Sequence, residues 1–396
     1  MKAFKNFYIK DFKIDENIVY FNFSFDKKVY FQESLDFWIK ISSDITNLLF
    51  NLHIALWISY FKLYPFANFH FPVYLDTQQL KFWKKFYINW LWEFFYKNKI
   101  KPKINFVNWK QNFKNEKIHI SSKKASLLWW WGKDSIVSYS FIKDKYDFRP
   151  FVVWKLDKIK KDTIKLTWKK EILIKRQIDP KLFEYNKIYY NWHVPITWII
   201  SFISLISAKL YNFWYIFTSN EKSASEENTV WEGVKINHQY SKSKKFEDDF
   251  NKYNKNFIEW VVYKSLLSNL YEIDIAKHFS KLKEFFPYFS SCNKNFTISK
   301  DAINKRWCWK CEKCAFVYLI LSPYIDQKKL TEIFGKNLFE DKNLIWTYKK
   351  LIWKDIKPFE CVGTYDESQK ALKKVLEKYK WKKLPIVLEE LKKIIN

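Results

Sequence analysis

The chain has 396 residues, a formal charge of +28, 48% hydrophobic residues, 21 tryptophans and only 4 glycines. Ordinary usage would put roughly 28 glycines in this length, and tight turns and helix C-caps need a residue without Cβ. Five cysteines, four of them clustered, exclude a disulfide framework.

Gly and Trp together number 25, close to a normal glycine count alone. We therefore expect many of the tryptophans to be UGA codons that the source organism reads as glycine. Trp90 and Trp92 in "INWLWEF", Trp192 in "YNWHVP" and Trp309 in "RWCWKC" sit where chain geometry rather than packing would choose the residue. The set is expected to be mixed, and at Trp231 and Trp307 genuine tryptophan is left open as an alternative. The charge does not by itself indicate a nucleic-acid partner, because only Arg149, Arg176 and Arg306 are arginine. Phosphate recognition would be expected to use arginine forks as well as lysine point charges. The lysines read instead as the solvated surface of an AT-rich coding sequence.

Residues 1 to about 35 alternate in twos ("NFYIKDFKI", "IVYFNFSFD"), which predicts half-exposed antiparallel strands. Apolar residues then recur at helical spacing over Ile45 to Phe61 and Gln78 to Tyr96, completing an N-terminal α+β region over residues 1–115. The "MKAFKNFYIKDFK" start has no apolar core of the signal-peptide type, so a cytoplasmic location is expected.

From about residue 118 short apolar runs alternate with amphipathic ones. We expect strands at Ala125 to Leu128, Phe151 to Trp154, Ile172 to Ile178 and Trp214 to Thr218, and helices at Ser135 to Ile142 and Ile196 to Leu210. That order predicts an α/β fold with a doubly wound, mostly parallel sheet, in a domain over residues 116–345. Ile196 to Phe217 is the longest apolar stretch, but Lys209 and Asn212 interrupt it, so no membrane insertion is expected. After Phe246 the chain reads as mostly helical, with a cysteine knuckle at 292–314 and a helical extension over 346–396.

"SLLWWWGKDSIVSYS", Ser126 to Ser140, places three tryptophans at a strand-to-helix turn. Read as glycines, they become a loop whose bare N–H groups cradle an anion at a helix N-terminus. The loop is neither Walker A nor the dinucleotide Gly-x-Gly-x-x-Gly. It resembles the PP-loop, Ser-Gly-Gly-x-Asp-Ser, of ATP pyrophosphatases, with Trp130 at the Ser position. That resemblance implies ATP contacts from Trp130, Trp131, Gly132, Lys133, Asp134 and Ser135, and magnesium near Asp134.

"NWHVPITWIISFISLISA" (Asn191 to Ala208), "TSNEKSASEEN" (Thr218 to Asn228), "NHQYSKSKKFE" (Asn237 to Glu247), "RWCWKCEKCAFVYLILSP" and "KPFECVGT" narrow the choice. With "NLHIALWISYFK" and "NWLWEFFYKN" they make most of the chain similar to the UDP-N-acetylmuramoyl-L-alanyl-L-glutamate epimerases, PP-loop enzymes of peptidoglycan precursor synthesis. The departures are mostly tryptophans, at 57, 90, 92, 129, 130, 131, 192 and 309, where the pattern has glycine. The resemblance implies ATP-dependent inversion of the terminal L-Glu of UDP-MurNAc-L-Ala-L-Glu, with release of AMP and pyrophosphate. Our candidates for proton transfer are His193, Glu221, His238 and Lys242; Asn220, Asn237, Gln239 and Ser241 are candidates for substrate binding.

Cys308, Cys311 and Cys314 form C-x2-C-x2-C, with Cys292 upstream as a fourth thiolate. A closed set of four suits structural zinc, although an iron–sulfur cluster or a metal-free knuckle fits the same spacing. A similar arrangement occurs in PP-loop relatives that make a deazaguanine precursor, so a 7-cyano-7-deazaguanine synthase-like or tRNA-thiolating enzyme is the first alternative. A non-catalytic RNA-binding protein, using lysines and exposed aromatics, is the second.

Overall fold

The computed structural model describes residues 3–100, 105–108, 117–130, 132–192, 194–226, 229–231, 234–237, 239–296, 305–353 and 362–395. Strands β1 (Asn6–Asp15), β2 (Ile18–Phe25) and β3 (Val29–Asp36) form an antiparallel meander. The expected alternation is visible in Val19, Phe21, Phe31 and Leu35, which are buried between more exposed neighbours. Helices α1 (Thr46–Leu56) and α2 (Ile58–Phe61) follow, where one longer helix was expected; the break falls at Trp57. Next come β4 (Asn68–His70), α3 (Thr77–Asn98) and β5 (Phe106–Val107). Asp76 and Gln79 make a capping box that starts α3.

The second half runs β6 (Lys124–Leu128), α4 (Lys133–Ile142), β7 (Phe148–Val153), α5 (Lys158–Lys165), β8 (Ile172–Gln177), α6 (Lys181–Tyr185), α7 (Ile196–Tyr211) and β9 (Phe213–Thr218). A small hairpin, β10 (Thr229–Trp231) with β11 (Val234–Ile236), precedes α8 (Lys244–Asn254). Then come β12 (Val262–Ser265), α9 (Glu272–Phe279), α10 (Glu312–Leu321), α11 (Gln327–Phe334), α12 (Ile345–Ile352), α13 (Tyr365–Lys378) and α14 (Ile386–Ile395). Strand β12 was missed in the mostly helical reading of the chain beyond Phe246.

Ten strands form one sheet in the order β12-β9-β6-β7-β8-β3-β2-β1-β4-β5. The five strands β12, β9, β6, β7 and β8 are mutually parallel, and β8 joins the meander through an antiparallel pairing with β3. Both faces of the parallel part are covered, as such sheets require. Leu128, Phe151, Ile174 and Ile216 enter one core together with α1 and α7 residues. Ala125, Leu127, Val152 and Phe217 enter the other, with residues of α4, α9 and α10. At the β3–β8 seam Arg176 Nε donates to Glu33 Oε1 at 2.5 Å and its Nη2 to Ser59 Oγ at 3.1 Å. Tyr60 also donates to Glu33, at 3.0 Å, so the buried carboxylate is fully engaged.

Backbone geometry bears on the tryptophans. Among the described residues ten non-glycine residues have positive φ, and five are Trp38, Trp154, Trp168, Trp260 and Trp309, at φ of 57°, 88°, 56°, 65° and 60°. A bulky side chain is rare there because its Cβ crowds the following carbonyl. Two buried indoles are also crowded: the ring centroid of Trp198 lies 2.7 Å from that of Phe86, and that of Trp57 lies 3.6 Å from that of Phe69. Ordinary aromatic pairs sit about 4.5–7 Å apart.

Candidate functional site

Strand β6 is flanked by β7 on one side and β9 on the other, so the connections leaving β6 and β9 depart toward opposite faces. A crevice opens at such a switch point, beyond the carboxyl ends of the strands. The segments that leave the sheet there are Trp129, Trp130 and Gly132 after β6 and residues 219–225 after β9.

The first segment ends at Gly132, which is the N-cap of α4, with φ −93°, ψ 171° and no side-chain cap. The first N–H groups of α4 are thus left for a ligand. Ser135 is buried and its Oγ accepts from the Trp130 N–H at 2.9 Å, bracing the loop from inside. A Cβ on Gly132 would stand 3.1 Å from Ser291 Oγ, a tight approach that glycine avoids. Trp129 is buried, with its indole N–H donating to Thr163 Oγ1 at 3.1 Å, and Trp130 is half-buried. Trp131 lies outside the described residues.

Behind the loop is a buried charge cluster. Lys133 Nζ pairs with Glu272 and, at 2.5 Å, with Asp134 Oδ1; Lys313 Nζ reaches Glu272 Oε1 at 3.1 Å. Burial alone would drive the Glu272 carboxyl up, but Lys133 and Lys313 outweigh it and hold the group down at about 2. Burial likewise disfavours the Lys133 ammonium, yet Asp134 and Glu272 keep it above its ordinary range. Glu221, at the start of the second segment, goes the other way. Burial, together with the neighbouring Glu272 charge, lifts its carboxyl to about 7, with Lys242 opposing. A carboxyl poised there can exchange protons near neutral pH.

Asn220 Nδ2 donates to Thr218 Oγ1 at 3.3 Å, and its carbonyl accepts from Ser265 Oγ at 2.7 Å, which ties the segment to β12. Asn237 Nδ2 donates to Ala224 O at 2.9 Å, and the Gln239 N–H donates to Asn237 Oδ1 at 2.7 Å. Lys242 Nζ lies 3.5 Å from Gln239 Oε1, and Ser241 is buried beside it. The "TSNEKSASEEN" and "NHQYSKS" segments are therefore brought together. His193 and His238 lie outside the described residues. The neighbours of His193 are held by Lys62, whose Nζ donates to Trp192 O at 2.6 Å and Asn191 Oδ1 at 3.2 Å.

Cys292, Cys308, Cys311 and Cys314 are buried, with their Sγ atoms all within 4.8 Å of one another, so the four could hold a metal ion. Cys308 Sγ and Cys314 Sγ are 3.8 Å apart. A tetrahedron with bonds of about 2.3 Å has edges of roughly 3.8 Å. The N–H groups of Lys310 and Cys311 point at Cys308 Sγ (3.4 and 3.3 Å), and that of Cys314 at Cys311 Sγ (3.4 Å), which favours the thiolate form. The turn between the first two passes through Trp309 at positive φ.

Glu272, Lys313, Lys62 and Ser291 were not picked out from the sequence. Lys313 had a signal, since it lies within the quoted "CEKC". Glu272 had none, because its helix follows the missed strand β12.

The chain thus combines an α/β sheet, a helix N-terminus without a side-chain cap, a carboxyl lifted toward neutrality and four clustered cysteines. Family models identify it further: the MurL N-terminal domain matches residues 1–266 and the MurL C-terminal domain residues 288–396. The chain belongs to the MurL family. It is 32% identical over 343 residues to the UDP-N-acetyl-alpha-D-muramoyl-L-alanyl-L-glutamate epimerase of Xanthomonas oryzae pv. oryzae (strain MAFF 311018), a match covering 85% of this chain and 76% of that protein. Proteins of the same name from Micromonospora sp. (strain ATCC 39149 / NRRL 15099 / SCC 1413) and Salinispora tropica are 38% and 35% identical. Those matches cover 54% and 65% of this chain and only 48% and 56% of the relatives' lengths. Among the described residues no helix is long and apolar enough to cross a membrane.

Proposed function

We propose that the chain inverts the terminal L-Glu of UDP-MurNAc-L-Ala-L-Glu in peptidoglycan precursor synthesis, at the expense of ATP, through a PP-loop-type site. The carrying observation is the uncapped N-terminus of α4 at the switch point, with Gly132 as N-cap. In this reading positions 130 and 131 are glycine, and the loop grips the β- and γ-phosphates. Asp134 is the carboxylate that would hold magnesium.

A substrate carboxylate oxygen attacks the α-phosphorus of ATP, and pyrophosphate leaves. Forming the acyl-adenylate removes the negative charge beside Cα, so the α-proton becomes acidic enough to be taken by a side chain. The resulting enolate-like anion is stabilised by cations and N–H donors. Return of a proton to the opposite face inverts the centre, and water cleaves the mixed anhydride to release AMP. Glu221 is our candidate on one face, since its carboxyl at about 7 suits proton exchange. His193, His238 and Lys242 are candidates for the other, with Asn220, Asn237, Gln239 and Ser241 orienting the substrate.

The four cysteines fit structural zinc, which would have no open coordination position for water. Their presence also favours the second reading, a 7-cyano-7-deazaguanine synthase-like enzyme. ATP–pyrophosphate exchange separates the two: dependence on UDP-MurNAc-L-Ala-L-Glu supports the epimerase, whereas dependence on carboxydeazaguanine supports the second reading.

A further inference from the structure

We propose that Ser291 completes the anion-binding loop and that the four-cysteine centre holds it there. The inference rests on the reading of residues 129–135 as a triphosphate site. Ser291 directly precedes Cys292, and its Oγ lies 3.1 Å from the point where a Cβ on Gly132 would stand. The hydroxyl therefore faces the residue whose missing side chain opens the loop. Ser291 is 6% exposed, and its Oγ has no hydrogen-bond partner among the described residues.

Burying a hydroxyl without a partner is unfavourable, so a hydroxyl held in this way calls for an acceptor. At an uncapped helix N-terminus the matching partner is an oxyanion, which would accept a charge-assisted O–H···O⁻ bond. A phosphate oxygen of the nucleotide supplies it.

Two arms of the knuckle end on consecutive residues of the loop. In the first arm the Cys292 N–H donates to Ser290 Oγ at 3.2 Å, and Ser290 Oγ donates to Arg306 O, which also accepts from Asn295 Nδ2 at 2.6 Å. That lattice locks the 290–295 segment to the 306–314 segment and presents Ser291 to Gly132. In the second arm Cys311 is the N-cap of α10, accepting from the Cys314 N–H, and Lys313 of that first turn reaches Glu272, which pairs with Lys133. A metal ion drawing the four thiolates together would therefore fix both Gly132 and Lys133 from behind.

The test is binding of ATP·Mg, and of inorganic pyrophosphate as the minimal probe, by calorimetry on the full chain translated with its source organism's code. Ser291→Ala should weaken both probes about 10- to 100-fold, with zinc content unchanged and the melting temperature of the ligand-free chain held or raised; Ser291→Thr should restore part of the loss. Stripping zinc, or Cys314→Ser, should weaken pyrophosphate binding by a similar factor while Ser291 is still present. Wild-type affinity in Ser291→Ala overturns the role of Ser291. Unchanged affinity after verified zinc loss, or no stoichiometric zinc in the purified protein, overturns the role of the centre. A wild-type chain that binds neither probe overturns the triphosphate reading itself, and the proposal with it.

Discussion

Lys133, the residue that follows Gly132 in the loop, spends its ammonium on Glu272 in the interior rather than reaching into the crevice. One carboxylate at the start of α9 thus serves cations from both α4 and α10. The Lys133 side chain thereby anchors the first turn of α4 to α9.

Glu272→Gln should be strongly destabilising, because it removes the buried charge that Lys133 and Lys313 share and leaves Asp134 as the carboxylate beside Lys133. Removing one side of a buried pair typically costs about 3–5 kcal/mol, measurable by denaturant unfolding. The carboxyl is held at about 2 against an ordinary 4.5, so its stabilisation is present above pH 4.5 and lost as pH falls toward 2. The variant should lack that acid-limb loss. An unchanged acid limb would show that the pair does not hold α4 and α9 together.

Glu221 has the opposite sign. Its carboxyl sits at about 7 in the folded chain against 4.5 ordinarily, so the folded state retains the proton longer than the unfolded one. Stability from this group is full below pH 4.5 and declines as pH rises through 7. Glu221→Gln should flatten the stability curve between those values. In activity, kcat/KM should show an inflection near pH 7 that the variant lacks, together with a fall in kcat of about 100-fold or more.

Trp38, Trp168 and Trp260 are 59%, 94% and 60% exposed and all have positive φ, so their indoles gain little packing to offset the backbone strain. In a chain made with tryptophan at these positions, Trp168→Gly and Trp260→Gly should each stabilise by about 1 kcal/mol. Equilibrium unfolding reads this directly. Destabilisation at both sites would count against glycine as the residue the backbone was built for.

Lys62 is pressed down to about 8 by burial while it clamps Asn191 and Trp192. Lys62→Met removes a costly buried charge, so the melting temperature should hold or rise, whereas kcat/KM should fall about tenfold or more as the segment carrying His193 loses its tie. A drop in both quantities would make Lys62 a purely structural residue.

The sequence made the parallel core readable because β6 and α7 are mostly apolar, and because the Gly132 turn sits between a strand and a helix. The meander was legible from its period of two. Strand β12 was not, since it is only four residues long and follows Trp260 at positive φ, where no glycine marks the turn. Helix α5 hides among lysines and is held by its Asp157 cap and by buried Thr163 and Ile164. The Lys133–Glu272 pair joins residues 139 apart in the chain, and no local pattern encodes such a meeting. The clustered cysteines were legible because C-x2-C-x2-C is local; the approach of Ser291 to Gly132 depends on how the chain returns to the first loop.

The central claim is that bare main chain at residues 130–132 grips a nucleotide triphosphate so that a substrate carboxylate can be adenylated. It is tested most directly by ATP–pyrophosphate exchange with UDP-MurNAc-L-Ala-L-Glu, comparing the chain carrying glycine at 130 and 131 with the chain carrying tryptophan there. The account predicts substrate-dependent exchange in the first and at least a hundredfold less in the second. Equal exchange in the two chains, or none in either, would contradict it.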